Sequence, residues 1–386
     1  METYVYICSW NNFGGEPGIG RYKFDAASGE LSFMDMCNKA DSCNATCFDK
    51  KRRILYVSNE VSGQKELRGN GGGRIFVYSA EENGQLTKID EVSTFCPNPA
   101  YMALNADSSR MLVANYSGFA AASKIQKDAF GKYHLEIVYD DAAVELFEIL
   151  PNGRIGELKD VAMHTGSGPC AQQTHPRPHC VVRSPSGKLY AVCDKGNDCV
   201  YMYTVHKDSL KLCALPFQDT PGSMPRYCVF HPTLPFLYVN HEGSAGLSVF
   251  RYTEDGKLSF KGTYHALTEL TLADSENGPK HIEQQGLMIS ADGHFLYDMV
   301  NGPNVIAVFA IDQKTGAPAL VQNQKISAGN WLRSSALSPD GRFLIAASLD
   351  PGNVETFRVQ ENGLLVSGGQ VLKQSAAAYV TFVEAE

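Results

Sequence analysis

The stretch His-Pro-Arg-Pro-His-Cys-Val-Val-Arg-Ser-Pro-Ser-Gly-Lys-Leu-Tyr-Ala-Val-Cys-Asp-Lys-Gly, residues 175–196, has the pattern of one β-hairpin. Residues 180–183 form a short apolar-rich strand, and residues 189–193 form a return strand of apolar and aromatic residues. Between them, Ser-Pro-Ser-Gly at 184–187 predicts a turn, because Pro fixes φ and Gly tolerates positive φ. The hairpin carries its polar groups at one end only, where the first strand begins and the second ends.

The return strand of this hairpin recurs along the chain. Its seven copies are residues 4–10, 54–60, 110–116, 189–195, 236–242, 295–301 and 343–349. Most copies start about 50 residues after the previous one, which is the period of propeller blades or solenoid units. Helical repeats would instead show apolar residues with a period of about 3.6, and these segments lack that pattern.

Each copy is followed by a third short strand that ends in an aromatic residue, by a polar turn that usually contains Gly, and by a fourth strand. Four antiparallel strands repeated seven times predict an all-β fold, a seven-bladed β-propeller that occupies residues 1–386 as a single domain. The first copy lacks a preceding strand, whereas residues 378–383 form an extra one at the C-terminus. Pairing of residues 378–383 with residues 4–8 would close the ring and remove two exposed edges. We interpret segments 117–141 and 162–178 as excursions over one rim.

The composition argues against several classes of partner. The chain carries 34 basic and 42 acidic residues, a formal net charge of -8, so we do not expect nucleic acid or an anionic membrane as the main partner. We expect neither a signal peptide nor a membrane-spanning segment. The 11 cysteines are an odd number scattered through strand-like segments, which is typical of reduced thiols in a cytoplasmic protein.

No metal or organic cofactor is expected. Cys43 and Cys47 are spaced like half of a zinc site, but no second pair with suitable spacing follows. We expect the protein to be a monomer or a weak homo-oligomer.

The repeat also locates the residues around the central opening. The innermost strand of a blade begins ten residues before the start of its return strand, and the return strand ends six residues after that start. Antiparallel pairing places both positions at the same end of the hairpin. The first set is Asn44, Ala100, His179, Arg226, Gln285, Arg333 and, from the C-terminal strand, Ala378. The second set is Trp10, Glu60, Tyr116, Lys195, Glu242, Asn301 and Leu349.

Ionisable residues in these two sets make the mouth of the channel the candidate site. Neutral His179 suits a general base, and Glu242 suits a general acid or base. Arg226 and Arg333 can each hold a carboxylate or a phosphate through two hydrogen bonds. Structural roles are the alternative. His179 can bond a backbone carbonyl, Glu242 can lie in a solvated turn, and the arginines can form ion pairs between blades, one of them with Glu60.

Eight short motifs are distributed over nearly the whole chain. They are Gly18-Ile19-Gly20-Arg21-Tyr22, Asn98-Pro99-Ala100-Tyr101, Ala114-Asn115-Tyr116, His164-Thr165-Gly166-Ser167-Gly168-Pro169, Pro178-His179, Asp194-Lys195-Gly196, Pro225-Arg226 and Ser338-Pro339-Asp340-Gly341-Arg342-Phe343-Leu344. As a set they resemble the seven-bladed lactonase family, which includes propeller-type 6-phosphogluconolactonases and fungal 3-carboxy-cis,cis-muconate lactonizing enzymes. The resemblance implies the same propeller that the repeat predicts.

The resemblance to the muconate-cyclizing members implies a site of one His, two Arg and one Glu. The matching residues are His179, Arg226 and Glu242, whereas the second Arg position holds Asn301. This departure removes one anion-binding charge. The family's Pro-His-x-His signature reads Pro-Arg-Pro-His here, so that Arg177 replaces the first His and adds a cation at the rim.

The leading hypothesis is a lactonase that acts on a sugar-acid lactone resembling 6-phosphogluconolactone, a small anionic substrate. His179 would activate water, and Glu242 would protonate the leaving oxygen or shuttle that proton. Arg226 would stabilise the oxyanion or hold the anionic group. The candidate substrate-binding residues are Arg333, Arg177, Lys195, Asn301, Glu60, Tyr116 and Trp10, of which Arg333, Arg177 and Lys195 suit a phosphate, and Trp10 and Tyr116 supply apolar walls.

Two other functions remain open. The first is a cycloisomerase that forms a lactone from a carboxymuconate-type substrate with the same His and Glu. The second is a non-enzymatic propeller that binds a protein or peptide, which predicts an exposed apolar or aromatic patch on one rim.

Overall fold

Seven antiparallel sheets follow one another along the chain and form a ring of blades. The computed structural model describes residues 2–11, 14–61, 72–269, 271, 282–326, 330–350 and 352–385. In each blade four strands pair in sequence order from the centre of the ring outwards, apart from the blade that joins the two termini. The all-β, seven-bladed propeller predicted from the repeat is confirmed.

The innermost strands contact each other around the central channel and therefore position the site. They are β4 Cys43–Asp49, β8 Pro99–Leu104, β14 Pro178–Arg183, β19 Pro225–Phe230, β23 Glu283–Ile289, β27 Asn330–Leu337 and β31 Ala377–Glu384. The second strands are β1 Thr3–Ser9, β5 Ile54–Asn59, β9 Arg110–Asn115, β15 Leu189–Asp194, β20 Phe236–His241, β24 Phe295–Asn301 and β28 Phe343–Asp350.

The outer half of each blade consists of a third strand and a partly exposed fourth strand. The third strands are β2 Gly18–Phe24, β6 Arg74–Ala80, β12 Ala143–Ile149, β16 Cys199–His206, β21 Gly246–Tyr252, β25 Val305–Ile311 and β29 Asn353–Val359. The fourth strands are β3 Leu31–Cys37, β7 Leu86–Ser93, β13 Ile155–Met163, β17 Ser209–Leu212 with β18 Phe217–Gln218, β22 Leu258–His265, β26 Pro318–Lys325 and β30 Leu365–Lys373.

The two ends of the chain close the ring in one blade. Strand β31 pairs antiparallel with β1, with Tyr4 opposite Val383 and Cys8 opposite Tyr379. The closure predicted from residues 378–383 is therefore confirmed, and it removes the free edges that both terminal strands would otherwise present.

A β-bulge interrupts the pairing of every innermost strand with its second strand, near the channel mouth. The first set of mouth positions, one per blade, falls inside these seven bulges. His179, for example, lies between the paired residues Pro178 and Cys180, and Arg333 lies between Leu332 and Ser334. A bulged residue leaves the regular ladder of hydrogen bonds between the strands, and its side chain changes direction. The bulges therefore turn the side chains at the mouth positions away from the blade interior.

Glycine in the turn before the fourth strand allows close contact between neighbouring blades. Six such glycines have φ between +70° and +83°: Gly29, Gly84, Gly153, Gly256, Gly316 and Gly363. A Cβ at Gly316 would lie 2.4 Å from the ring of Phe236, the first residue of β20 in the preceding blade. The hydroxyl of Tyr238 donates a hydrogen bond to the carbonyl of Gly316 at 2.9 Å. The turn therefore needs both the backbone freedom and the small volume of glycine.

The excursion at 117–141 contains regular structure that the sequence pattern did not predict. Strands β10 Ala121–Lys127 and β11 Tyr133–Tyr139 pair as a separate two-stranded hairpin. Ile125, Phe130 and Leu135 are exposed on this hairpin. The hairpin therefore exposes several apolar side chains.

Each of the 11 cysteines is a free thiol, in agreement with the reduced state expected from their number and positions. Within the described residues, no helix has the length and apolar character that crossing a membrane requires.

Candidate active site

A cavity of about 320 Å³ lies at the end of the ring where innermost strands begin, and each of the seven blades contributes at least one residue to its lining. Nine of the ten residues that the sequence analysis selected line it, and they are Trp10, Glu60, Tyr116, Arg177, His179, Lys195, Arg226, Glu242 and Arg333. The structure therefore brings side chains from distant parts of the chain around a single opening.

Asn301 is the one selected residue that does not line the cavity. The strand that carries it, β24, extends up to the predicted position, whereas most other second strands end before it. In five blades the second strand ends one residue before the predicted position. The residues that follow those strand ends are Trp10, Glu60, Tyr116, Lys195 and Glu242. Asn301, in contrast, is the last residue of β24 and pairs with Glu283 of β23. Asn301 thus remains in the sheet, and Glu283 lines the cavity.

Glu242 lies between two cations. Its Oε1 accepts a hydrogen bond from Nζ of Lys195, and its Oε2 accepts one from Nε of Arg226 at 2.7 Å. Burial acts to raise the pKa of Glu242, but the charges of Lys195 and Arg226 outweigh it and lower that pKa to about 2. Glu242 is therefore a carboxylate at neutral pH. A carboxylate has no proton to donate, so this ionisation state favours the base role over the general-acid role considered from the sequence.

His179 is the neutral group in this charged cavity. Its ring lies 5.6 Å from the ring of Tyr116 and 5.4 Å from that of Tyr227, measured between centroids. Burial lowers the pKa of His179 well below 6.5, and the charges of Arg226 and Lys195 act in the same direction. Its Nδ1 is buried and has no hydrogen-bond partner among the described residues. The imidazole is thus available as a base.

Arg333 forms a third ion pair in the cavity. Its Nη2 lies 3.7 Å from Oε2 of Glu60, and its Nη1 donates a hydrogen bond to Oε1 of Gln285 at 3.3 Å. Its guanidinium carbon lies 4.4 Å from the ring centroid of Trp10, which is a cation–π contact. Burial raises the pKa of Glu60, and the charge of Arg333 opposes that rise. The pairing of Glu60 with an arginine is one of the structural roles considered from the sequence.

Arg177 is the lining cation for which the described residues provide no carboxylate partner. Its guanidinium carbon lies 4.8 Å from the ring centroid of Tyr116 and 4.9 Å from that of Phe119. Its Nε donates a hydrogen bond to the carbonyl of Gln172 at 3.2 Å. Its Nη1 is buried and has no partner within the described part of the chain. No carboxylate among the described residues therefore neutralises the charge of Arg177, and an anion in the cavity would offset it.

Asp194 holds together the two segments that carry Arg177 and Lys195. Its Oδ1 accepts hydrogen bonds from the backbone N–H of Arg177 at 2.6 Å and of Gly196 at 2.9 Å. Its Oδ2 lies 2.7 Å from Nδ1 of His164, and both side chains are fully buried. The motif that begins at His164 therefore supports the cavity residues indirectly, through Asp194.

The cavity has a positive balance although the chain is acidic overall. Its lining contains four cationic residues, Arg177, Lys195, Arg226 and Arg333, and three carboxylates, Glu60, Glu242 and Glu283. The whole chain has a formal net charge of -8. Nη1 of Arg226, like that of Arg177, is buried with no partner among the described residues. This combination suits a small anionic ligand.

Residues 4–382 match the model of a protein family described as "Lactonase, 7-bladed beta-propeller". The chain belongs to this lactonase family.

Relatives of this family member include two bacterial proteins named 6-phosphogluconolactonase. The one from Bacillus subtilis (strain 168) is 26% identical over 368 residues, which cover 95% of this chain and 94% of the relative. The one from Formosa agariphila is 28% identical over 363 residues, which cover 92% of each chain. The solved structure of the periplasmic gluconolactonase of Pseudomonas aeruginosa matches all of both chains with a TM-score of 0.83 and 23% identity, a similarity that concerns the fold.

Five cavity residues of this lactonase-family chain were not selected as site residues from the sequence. They are Asn98, Phe119, Gln172, Glu283 and Trp331. Glu283 and Trp331 each lie two residues before a mouth position, and Asn98 does so as well. Because side chains two residues apart share one face of a strand, extending the repeat by that step would have found these three. Phe119 and Gln172 lie on the excursions, where no repeat applies.

Proposed function

We propose that this protein is a lactonase that hydrolyses a sugar-acid lactone bearing an anionic group, of the 6-phosphogluconolactone type. The observation that supports this function is the position of neutral His179 among four cationic side chains in one concave cavity. A neutral imidazole can accept a proton from water, and cations can stabilise charge on a carbonyl oxygen. The names of the two bacterial relatives agree with this class of substrate.

In the proposed reaction, water attacks the carbonyl carbon of the lactone while His179 accepts the water's proton. The carbonyl oxygen becomes an oxyanion, which Arg226 stabilises. When this intermediate collapses, the ring C–O bond breaks, and the protonated imidazole returns its proton to the leaving oxygen. The product is an open-chain hydroxy acid, and His179 is neutral again.

Glu242 acts in this proposal as a counter-charge. A carboxyl group with a pKa of about 2 does not donate a proton at neutral pH, so both proton transfers involve His179. The carboxylate of Glu242 instead keeps Lys195 and Arg226 in place through its two hydrogen bonds.

The anionic group of the substrate would bind Arg177, because the described residues offer that guanidinium no carboxylate. Negative charge entering the cavity would offset the positive charge that helps to lower the pKa of His179. Substrate binding would therefore make His179 a stronger base at the moment when the base is needed.

The two alternatives are supported less well. Neither bacterial relative is named as a cyclase, and Asn301 occupies the position that an arginine holds in the cyclizing members and does not line the cavity. The exposed apolar residues of the β10–β11 hairpin match what a binding propeller predicts. Such a propeller would have no need for a neutral imidazole among buried cations.

The test is an assay of purified protein on 6-phosphoglucono-1,5-lactone, with spontaneous hydrolysis subtracted. We expect His179→Gln to lower kcat by about 100-fold or more, as loss of a general base does. The matched control is His231→Gln, because His231 is also buried but bonds the carbonyl of Gly293 outside the cavity. A His179→Gln variant that folds normally and retains the wild-type rate would refute the proposal, as would wild-type protein inactive on every sugar lactone.

A further inference from the structure

A second cavity of about 420 Å³ adjoins the candidate active site. Trp10 and Trp331 line both cavities, so the two indoles form the shared boundary. They are the only tryptophans of the 386-residue chain. Both residues of the type with the largest aromatic side chain therefore lie between these two cavities.

Trp331 has an unusual backbone conformation for its size. Its φ is +66°, in the left-handed region that bulky residues rarely adopt. Its Nε1 donates a hydrogen bond to Oε2 of Glu283 at 3.3 Å, and 37% of its surface is exposed. Strained conformations of this kind are concentrated at ligand-binding sites. An indole fixed at one edge and still accessible is suited to contact a flat ring.

Trp10 is anchored on the same boundary. Its backbone N–H donates a hydrogen bond to the carbonyl of Ala376 at 2.9 Å, and the guanidinium of Arg333 lies over its ring. Leu349 and Ala376 add apolar surface to the second cavity. Gly14 and Gly15 contribute backbone, and Asp350 contributes an exposed carboxylate.

The two cavities differ in charge. Four cationic residues line the first, whereas the lining of the second contains neither Lys nor Arg among the described residues. The hydroxyl of Ser375 accepts a hydrogen bond from the backbone N–H of Glu16 at 2.8 Å, and its own proton can be donated elsewhere. An aromatic wall with hydroxyl and carboxylate groups suits a neutral ring that bears hydroxyls, and does not suit a phosphate.

The cation proposed to bind the anionic group and the two tryptophans belong to blades that are far apart in the ring. Arg177 belongs to the fourth blade along the chain, whereas Trp331 belongs to the seventh and Trp10 follows the first strand of the blade that closes the ring. In a seven-bladed ring these positions lie on opposite sides of the opening. A ligand that holds an anionic group at Arg177 would therefore extend in the other direction, toward the two tryptophans that border the second cavity.

We propose that the second cavity is a subsite for a neutral, hydroxylated ring joined to the lactone ring, so that the substrates include lactones of disaccharide acids. This inference rests on the proposed lactonase function. The contact of such a ring with Trp331 is remote from the scissile bond, so it contributes to binding of the substrate and the transition state alike.

The kinetic test compares freshly prepared cellobiono-1,5-lactone with glucono-1,5-lactone. We expect wild-type kcat/KM to be about tenfold higher for the disaccharide lactone, and Trp331→Ala to remove this preference mainly through KM. The matched control is Trp331→Phe, which keeps an aromatic face and should retain most of the preference. Equal kcat/KM values for both lactones in the wild type, or equal losses on both in Trp331→Ala, would overturn the subsite while leaving the lactonase proposal standing.

A binding test does not depend on catalysis. Because both tryptophans border the two cavities, intrinsic fluorescence reports a ligand in either one, and the comparison of cellobionate with gluconate isolates the contribution of the second cavity. We expect cellobionate, which cannot be hydrolysed further at a lactone bond, to change the emission of the wild type at lower concentration than gluconate does, and Trp331→Ala to abolish this difference. A response to cellobionate without turnover of any lactone would support the subsite and refute the lactonase. Equal responses to cellobionate and gluconate would refute the subsite.

Discussion

Arg226 and Glu242 face each other at the open end of one hairpin, with Nε of the arginine 2.7 Å from Oε2 of the glutamate. Lys195 of the neighbouring blade donates a hydrogen bond to the other carboxylate oxygen. This three-membered network keeps Glu242 ionised and leaves two positive charges close to His179. The ionisation state of His179 is therefore set by burial and by a charge network from two blades.

The first prediction concerns the acid limb of the pH profile. In the proposed mechanism, activity requires neutral His179. The pKa of His179 lies well below 6.5, so kcat/KM for a sugar lactone should remain constant as pH falls through 6.5 and decrease only at lower pH. Lys195→Met removes a charge that lowers this pKa, so the acid limb should move to higher pH. The measurement is initial rate against pH with spontaneous hydrolysis subtracted. A wild-type limb centred at or above pH 6.5 would contradict the assignment.

The second prediction concerns recognition of the anionic group. Arg177→Met should raise KM for 6-phosphoglucono-1,5-lactone by roughly ten- to a hundredfold, which corresponds to loss of a charge-assisted hydrogen bond, and should change KM for glucono-1,5-lactone by less than about threefold. Arg110→Met serves as the control, because Arg110 pairs with Asp208 outside the cavity. Equal losses on both lactones would show that Arg177 supports the structure and not the phosphate.

The third prediction tests how neighbouring blades are joined. Gly316→Ala places a methyl group 2.4 Å from the ring of Phe236 at a φ of +70°, so it adds a steric clash to the backbone strain. Gly341→Ala has a similar φ of +72° but meets nothing within 4 Å. Chemical denaturation should show Gly341→Ala losing about 1 kcal/mol and Gly316→Ala losing about 1–3 kcal/mol more. Equal losses would mean that the packing against Phe236 is unimportant.

The fourth prediction concerns the buried acid Asp298. Burial raises the pKa of Asp298 to about 8, although its oxygens accept hydrogen bonds from Asn240 and Gln284. A raised pKa in the folded state favours folding at low pH, and this contribution is lost as pH rises through 8. The melting temperature of the wild type should therefore fall more steeply between pH 6 and 9 than that of Asp298→Asn.

The control for this prediction is Asp255→Asn. Asp255 is exposed, and hydrogen bonds from Lys257 and Thr253 lower its pKa to about 2, so it is ionised throughout the range from pH 6 to 9. Its replacement should leave the slope of melting temperature against pH unchanged. Parallel slopes for the wild type and Asp298→Asn would show that Asp298 is already ionised at pH 6.

The bulges explain why a simple repeat could locate the site. Each mouth position is displaced from the ladder in the same way, so one spacing served for His179 and Arg333 alike. The spacing failed at Asn301, where β24 continues in regular pairing up to the predicted exit. Strand length depends on long-range pairing, and a local pattern does not reveal it.

The sequence by itself determined the number of blades, the strand order and the closure between the termini, because the apolar strand pattern is a local signal repeated seven times and the glycine turn accompanies it in six blades. Only the tertiary structure decided which charges neutralise each other, that Glu242 is a carboxylate, and that Trp331 borders two cavities. These properties depend on distances between side chains from different blades, and such distances exist only once the ring has closed.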